Sequence, residues 1–350
     1  MGRTVDLNAR RVRAAALVAC KRTLSRWPPA MVAALLVNNG AWLVRLRLGL
    51  IETEMGATHA KLAVEDSVRY AESVLAGYKE RGQVDAFHGR VAEVGPGDSA
   101  GVALLLRHDG ATQVDLVDRF RRKPIDAGGT LLEALDRRHG LAALRCGDQW
   151  SNDAVSAVDW KVGQPAETYF RHCPPETYDF IVSWAVMEHL YDPIGAVRDM
   201  VRCLRPGGRM LHTIDLTDHD LFSSRGEELA WLRYPRWLWR LMTSHSGHPN
   251  RVLAHQYRRE LDELVHEGKI TYNLLVTLMV GVGRISPWRE FDDIPVPERD
   301  VGMARADSVR PGLSQEFREA AAADLAIRGL FLLVHKPAGA ASDGQHAQSL

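Results

Sequence analysis

Few folds accommodate the stretch from Gly89 to Phe120, GRVAEVGPGDSAGVALLLRHDGATQVDLVDRF. Val91, Ala92 and Val94 form a short apolar run that breaks at Gly95-Pro96-Gly97-Asp98-Ser99. In a turn of such small residues the backbone N–H groups can come close to a ligand. The spacing predicts a helix starting there, capped by Asp98 or Ser99, with Val102, Leu105 and Leu106 as its apolar face and Asp109-Gly110 as its end. Val114, Leu116 and Val117 then predict a second buried strand whose last position is Asp118. A carboxylate at the carboxyl end of the second strand of a βαβ unit accepts hydrogen bonds from both hydroxyls of a ribose, so the unit reads as a nucleoside-binding half.

Two cofactors compete for such a unit. Gly95-x-Gly97-x-x-Ala100 satisfies the loose dinucleotide pattern, which is a weak signal. Glu93 stands two positions before the first glycine, and an acidic side chain there suits the ammonium of a methionine tail but would repel a pyrophosphate. Farther on, YDFIVSWAVMEHL from Tyr178 to Leu190 reads as a strand, a small-residue turn and the pair Glu188-His189. Asp192-Pro193 opens a helix with the stripe Ile194, Val197, Met200, Val201 and Leu204, and Arg205-Pro206-Gly207-Gly208 stops it before a fifth strand over Met210 to Ile214.

Glu-x-Gly-x-Gly, the Glu-His ending and Leu-x-Pro-Gly-Gly, in that order over about 130 residues, resemble the motifs of class I S-adenosylmethionine-dependent methyltransferases. The resemblance implies an α/β fold: a Rossmann-like, seven-stranded sheet with N-terminal helices, a helical insertion after strand 5 and an antiparallel last strand. It implies S-adenosylmethionine as cofactor, held by Glu93, Gly95, Pro96, Gly97, Asp118, Arg119, Ser183 and Glu188. The family usually places an acidic or amide residue just beyond the third strand, here Val158 to Val162, for the adenine amino group. Gly163-Gln164-Pro165-Ala166-Glu167 lies there with Pro165 in place of the usual Asp, so Gln164 and Glu167 are the candidates.

Beyond the fifth strand, Asp215-Leu216-Thr217-Asp218-His219-Asp220 places three carboxylates and an imidazole at the carboxyl edge of the sheet, where ligands bind in open α/β folds. A hydroxyl acceptor needs its proton removed, which makes His189 or His219 the expected base and Asp215 or Asp218 its orienting partner. No metal is assigned, although Asp215, Asp218 and His219 form a donor set that suits magnesium. Trp231, Tyr234, Trp237 and Trp239 alternate with Arg233, Arg236 and Arg240, either to stack on sugar rings or planar acceptors or to pack the insertion onto the domain. Pro249-Asn250-Arg251 is expected to open a further helix. Such an insertion resembles methyltransferases of bacterial glycans and secondary metabolites, which implies a small-molecule or glycan acceptor methylated on oxygen. A nicotinamide-dependent oxidoreductase or epimerase is disfavoured by Glu93 and by the lack of a Tyr-x-x-x-Lys pair after the fourth strand, and a non-catalytic scaffold by the intact Glu93, Gly95, Gly97 and Asp118.

The expected division is an N-terminal helical segment over 1–85, a cofactor-binding core over 86–215, an acceptor-recognition insertion over 216–268, C-terminal strands over 269–337 and a disordered tail over 338–350. Within it, Ile51 to Arg81 reads as amphipathic helix, Ile270 to Val282 contains the sixth strand, Asp292 to Pro311 reads as a surface loop, Phe317 to Ala326 as a helix and Gly329 to His335 as the last strand. A formal net charge of zero argues against broad electrostatic binding of nucleic acid. Cys20, Cys146, Cys173 and Cys203 lack Cys-x-x-Cys spacing and read as free thiols in a reducing compartment. With no signal-peptide core and no uninterrupted apolar run of membrane-spanning length, a cytoplasmic location is expected. Charge is uneven only at the start: Arg3, Arg10, Arg11, Arg13, Lys21, Arg22, Arg26, Arg45 and Arg47 face Asp6 alone, and Asn38-Asn39-Gly40 interrupts the apolar run from Met31 to Val44. Residues 1–50 read as helices packed on the catalytic domain, as a basic amphipathic surface for peripheral contact with an anionic membrane, or, less well because serines are few, as a transit peptide.

Overall fold

The computed structural model describes residues 27–50, 59, 62–120, 127–223 and 227–338, with side chains 127–129 excepted. The basic residues Arg3 to Arg26, the start of the helix expected from Ile51, and all but the first residue of the expected tail lie outside them. Among the described residues eight strands form one sheet, in the order β3-β2-β1-β4-β5-β8-β6-β7. These are β1 Arg90–Val94, β2 Gln113–Asp118, β3 Val158–Val162, β4 Tyr178–Trp184, β5 Leu204–Asp215, β6 Thr271–Met279, β7 Gly283–Arg289 and β8 Ile327–His335. The first five run parallel, and β8 lies antiparallel between β5 and β6.

Alternation along the strands sends side chains to two cores, because successive residues of a strand face opposite sides of a sheet. Ala92, Val94, Ile181, Met210 and Ile214 face one core, and Val91, Phe180, Val182 and Leu211 the other. The second core is closed by α2 (Val64–Gly82), α3 (Gly101–Asp109) and α4 (Ala127–His139), which contribute Val68, Val74, Tyr78, Leu104, Leu106 and Leu132. On the first lie α5 (Ala166–His172), α6 (Pro193–Cys203) and the helices after β5, α7 (Arg236–Thr243) and α8 (Ala254–His266). This double covering leaves the carboxyl edge of β1 to β5 as the place for a ligand.

Several expectations change. The helix after the glycine turn starts at Gly101, whose N–H is taken by Ser99 Oγ at 3.0 Å, while Asn152 Oδ1 takes the Ala100 N–H at 2.8 Å and Asn152 Nδ2 donates to Asp98 O at 3.2 Å. A loop remote in sequence thus shares the helix start with the expected Ser99. The sheet has one strand more than expected, because Gly281 (φ +69°) and Gly283 (φ +93°) allow β6 to fold back into the edge strand β7. Asp292 to Pro311 is not a loop: Val296–Val309 forms α9, whose Gly302 sits close enough to Met279 that a Cβ would lie 2.7 Å from its Cε. The prolines at 295 and 297 open that helix. Phe317 to Ala326 divides into α10 (Gln315–Arg318) and α11 (Ala322–Ala326), and Arg310 Nη1 holds the Arg318 carbonyl at 2.8 Å at the break and also reaches that of Ala320.

Asn38-Asn39-Gly40 does not interrupt the N-terminal apolar segment either. Pro28–Arg47 is one helix, α1, long and apolar enough by length and composition to cross a membrane, and mostly exposed. Its Asn39 is buried and bridges to the end of α7: Nδ2 donates to Leu241 O (2.7 Å) and Ser244 Oγ (3.1 Å), while Oδ1 accepts from His245 N (2.7 Å) and Ser246 N (3.1 Å). A residue that weakens the amphipathic pattern is therefore the clamp that seats the helix. Replacing it, Asn39→Ala, leaves these amides without their partner and costs about 2–4 kcal/mol. Hydrogen exchange is expected to accelerate first in 28–47 and 241–246, and unchanged protection there would show that the helix is seated by its apolar contacts alone.

Candidate functional site

The cleft begins at the turn after β1. Gly95 and Gly97 both have φ +69°, a conformation that costs an L-residue roughly 1–2 kcal/mol. Gly95 N donates to Val117 O at 2.9 Å, and a Cβ on Gly95 would lie 2.5 Å from Val186 Cγ2. Glycine is required there because the turn after β4 presses against it. Glu93, one residue before the end of β1, is 5% exposed, and its Oε2 has no hydrogen-bond partner among the described residues. Burial pushes its carboxyl up to about 8, as expected for a group whose charged form lacks both water and a counter-ion. An orphaned carboxylate beside a turn with no room for a side chain fits the ammonium end of an amino-acid-bearing cofactor.

Asp118 ends β2 at half-buried exposure, where Oδ1 accepts from Phe120 N at 3.0 Å. Arg119 Nη1 donates to the Tyr191 hydroxyl at 2.7 Å and its guanidinium stacks on Phe120 and Tyr191, so it joins the β2 end to the turn after β4. The two candidates beyond β3 separate. Gln164 is half-buried at the α5 entrance, whereas the buried Glu167 Oε1 accepts from Tyr191 N (2.6 Å) and Asp192 N (3.3 Å). Glu167 therefore fixes the chain after β4 through Oε1, while its Oε2 has no hydrogen-bond partner among the described residues. Ser183, expected at the cofactor, is fully buried with its hydroxyl 2.7 Å from His212 Nδ1, on the strand face opposite Glu93. Burial lowers the His212 imidazole to about 3.

The acidic and imidazole residues converge beyond β4 and β5. Ala185 (φ +55°), His219 (φ +51°) and Asp220 (φ +60°) are non-glycine residues in the left-handed region, a strain that collects at functional sites. A 3-10 turn, Met187–His189, follows β4. Glu188 in it is 1% exposed, and neither carboxylate oxygen has a hydrogen-bond partner of good geometry. Burial pushes this carboxyl well above its usual range, and the Asp215 charge adds to that, while the backbone amides of Glu188 and Asp215 offset it only in part. His189 Nδ1 lies 2.8 Å from Gly247 O; a carbonyl only accepts, so Nδ1 carries the proton and Nε2 is the lone-pair nitrogen. Burial and the neighbouring His219 lower the His189 imidazole to about 4. His219 Nε2 stands 3.5 Å from Asp215 Oδ2 and 4.0 Å from Glu188 Oε1, with its ring centroid 5.1 Å from that of His189. Burial raises the Asp215 carboxyl, but His219 and Thr217 outweigh it and hold the group below its usual value.

Asp218 is not part of this group. It is fully buried, with Oδ2 accepting from Phe222 N (2.6 Å) and Ser223 N (3.1 Å) and Oδ1 from Asp220 N (3.1 Å) and the Ser223 hydroxyl. It folds the loop that carries His219, and the set Asp215, Asp218 and His219 does not assemble. Instead Glu188, His189 and His219 each bring a ligand atom within 4.8 Å of the others. Of the aromatic insertion, Trp231 and Trp239 are core residues and only Trp237 (63% exposed) among the tryptophans there is free to stack on an acceptor. Asn250 opens no helix: Nδ2 donates to Met187 O (2.9 Å) and Leu190 O (3.0 Å), and its N–H to Glu188 O (2.6 Å), strapping the Glu188-His189 turn. Asn250, Gly247 and Tyr257, whose buried hydroxyl feels the Glu188 charge, escape a sequence reading because their partners lie about 60 residues away.

A family model described as a methyltransferase domain matches residues 68–264, more than half of the chain. No curated protein matches. Among solved structures, the YcgJ protein of Bacillus subtilis is similar at 14% identity and TM-score 0.38, over 77% of this chain and 100% of that one. Phosphoethanolamine N-methyltransferase 2 of Haemonchus contortus, in complex with S-adenosyl-L-methionine, is similar at 16% identity and TM-score 0.40, over 77% and 52%. N-methyltransferase NodS of Bradyrhizobium japonicum WM9, in complex with S-adenosyl-l-homocysteine, is similar at 14% identity and TM-score 0.34, over 77% and 86%. The family match, and not these distant likenesses, carries weight.

The reassignment of Asp218 is open to direct measurement. Asp218→Ala strands buried amides and is expected to lower the stability to denaturant by about 2–4 kcal/mol. A variant that melts like the parent but transfers no group would return Asp218 to the chemistry.

Proposed function

The chain belongs to the methyltransferase-domain family, with the class I fold and S-adenosylmethionine as cofactor, and on that premise we propose that it methylates an oxygen of a sugar or natural-product hydroxyl. The observation that supports this reading is the grouping of Asp215, His219, His189 and Glu188 at the cleft edge, next to the turn whose Val186 packs on Gly95. A hydroxyl holds its proton until it attacks, so its methylation calls for proton acceptors at that place.

When bound, S-adenosylmethionine supplies a methyl group on a sulfonium sulfur. The chain's part is to bind, align and dry the two reactants. Glu93 would take the ammonium of the methionine tail, the Gly95–Gly97 turn would admit the backbone close to it, Asp118 would accept the ribose hydroxyls with Arg119 at its rim, and Gln164 would reach the adenine. Alignment of this kind can lower a barrier by about 7–11 kcal/mol. At the acceptor end, the hydroxyl proton passes to the Asp215–His219–His189 group, a contribution of roughly 10²–10⁴-fold. Trp237 offers an exposed ring face to a sugar.

Glu93 makes the cofactor assignment testable through pH. Its carboxyl titrates near 8 without a cation, so only above that pH is it ionised in advance of binding. Between the ordinary 4.5 and 8 the fold without cofactor loses stability as pH rises, because the buried group resists ionising, and an ammonium beside it removes that cost. Calorimetric titration with S-adenosylhomocysteine is expected to show affinity falling up to about tenfold per pH unit below 8, a slope that Glu93→Gln abolishes. A pH-independent affinity would remove Glu93 from the cofactor's ammonium.

The oxygen assignment is tested with methyl-labelled cofactor and a panel of hydroxylated sugars and phenolic or polyol acceptors. Label in a methyl ether, lowered about 10²–10³-fold in kcat/KM by His219→Ala with S-adenosylhomocysteine affinity unchanged, is the expected result. Label found only on amine nitrogen would overturn it.

A further inference from the structure

We propose that Glu188, His189 and His219 form a binding site for one divalent cation of the borderline class, of which zinc is the probe. The inference concerns the acceptor end of the cleft and does not require the acceptor to be known. Three observations carry it. A carboxylate and two imidazoles, from the 3-10 turn after β4 and from the loop after β5, bring their ligand atoms within 4.8 Å of one another. Glu188 is 1% exposed, and both of its oxygens lack a hydrogen-bond partner of good geometry, although a buried carboxylate costs several kcal/mol unless something pairs with it. His189 is already set as a ligand: Nδ1–H is held by the Gly247 carbonyl, which fixes the tautomer that leaves Nε2 with its lone pair, the outer-sphere arrangement usual for a metal-bound imidazole.

Two imidazoles and one carboxylate, with further positions left open, form a donor set used for catalytic zinc and for ferrous iron; magnesium prefers oxygen alone. Bond lengths of about 2.0–2.1 Å place tetrahedral ligand atoms roughly 3.3 Å apart. His219 Nε2 and Glu188 Oε1, now 4.0 Å apart, need to close by only a fraction of an ångström, and the 3-10 turn is strapped in place by Asn250. Asp215, 3.5 Å from His219 Nε2, stands beside the site. The proposal sharpens the acceptor chemistry above. With the ion bound, the imidazoles are ligands, and an acceptor hydroxyl on the open position is acidified. Its proton goes to Asp215, the O–CH3 bond forms as the S–CH3 bond breaks, and S-adenosylhomocysteine leaves.

The experiment is equilibrium dialysis of the full chain, cleared of metal by chelation, against zinc, with cobalt substitution read by visible absorption. Expected is one zinc per chain, not displaced by excess magnesium, with cobalt bands in the visible that report nitrogen ligation. Glu188→Gln, His189→Ala and His219→Ala are each expected to weaken zinc about 100-fold or more, and His255→Ala, on the outer face of α8, not at all. Binding of S-adenosylhomocysteine by each variant shows that it is folded and reads the cofactor assignment separately. Zinc binding that is absent, or that survives all three substitutions, overturns the proposal even if methyl transfer to a hydroxyl is found. Zinc lost only in the three variants upholds it even if no hydroxyl is methylated.

Discussion

The contact between Gly95 and Val186 is the constraint on which the rest of the site depends. The turn after β1 and the turn after β4 approach so closely that no side chain fits at position 95. One turn borders the orphaned carboxylate of Glu93, and the other leads in a few residues to Glu188 and His189. Their separation is therefore set by van der Waals contact, the stiffest force available in a packed interior. The two groups of side chains are held in register by it. The positive φ of Ala185, at the hinge between β4 and this turn, is the strain that accompanies so tight a fit.

The second organising element is the chain after β5, which would be a peripheral decoration if only its helices were counted. Asn250 and Gly247 hold the Glu188-His189 turn through backbone carbonyls and an imidazole, while Asn39 ties α1 to the end of α7 in the same region. Arg251, 6% exposed in its side chain, lies over Trp239 and Phe317 and pairs with Glu316 at 2.6 Å, so the insertion is locked to the C-terminal helices as well. Burial lowers this guanidinium to about 10, and the Glu316 carboxylate offsets part of that. The residues that look built for stacking on a substrate, Trp231 and Trp239, are in this light the packing of the device that positions the chemistry.

Two buried carboxylates, Glu93 and Glu188, run against stability. Glu93 Oε2 and both Glu188 oxygens lack a hydrogen-bond partner of good geometry, and desolvation raises the proton affinity of each group. Elsewhere buried acids are paired: Asp218 receives its own loop on both oxygens, and Asp115, fully buried, receives Arg90 at 2.7 Å and the Tyr178 hydroxyl at 2.7 Å on Oδ2 alone. Glu188 stands apart in that both of its oxygens lack a hydrogen-bond partner of good geometry.

The sequence by itself determined the α/β architecture, the succession of the first five strands along the chain and the glycine turn after β1. These rest on local signals: apolar runs of period two, a glycine turn and motif spacing that any window of the chain displays, and Asp118, Glu93 and Gly95 fall where that reading puts them. It also named Glu188, His189, Asp215 and His219, but grouped them wrongly with Asp218, because adjacency in sequence does not reveal which side chain turns inward on its own loop. For the same reason it does not reveal that Glu167 and Ser183 are each engaged by a partner on a neighbouring element. Only the tertiary structure decided that Asn152 braces the turn before α3, that Asn39 and Asn250 are clamps, and that the buried carboxylate of Glu188 stands beside two imidazoles. Hydrogen bonds across 50 to 200 residues leave no periodicity behind; they exist only once the sheet has brought its carboxyl edges together.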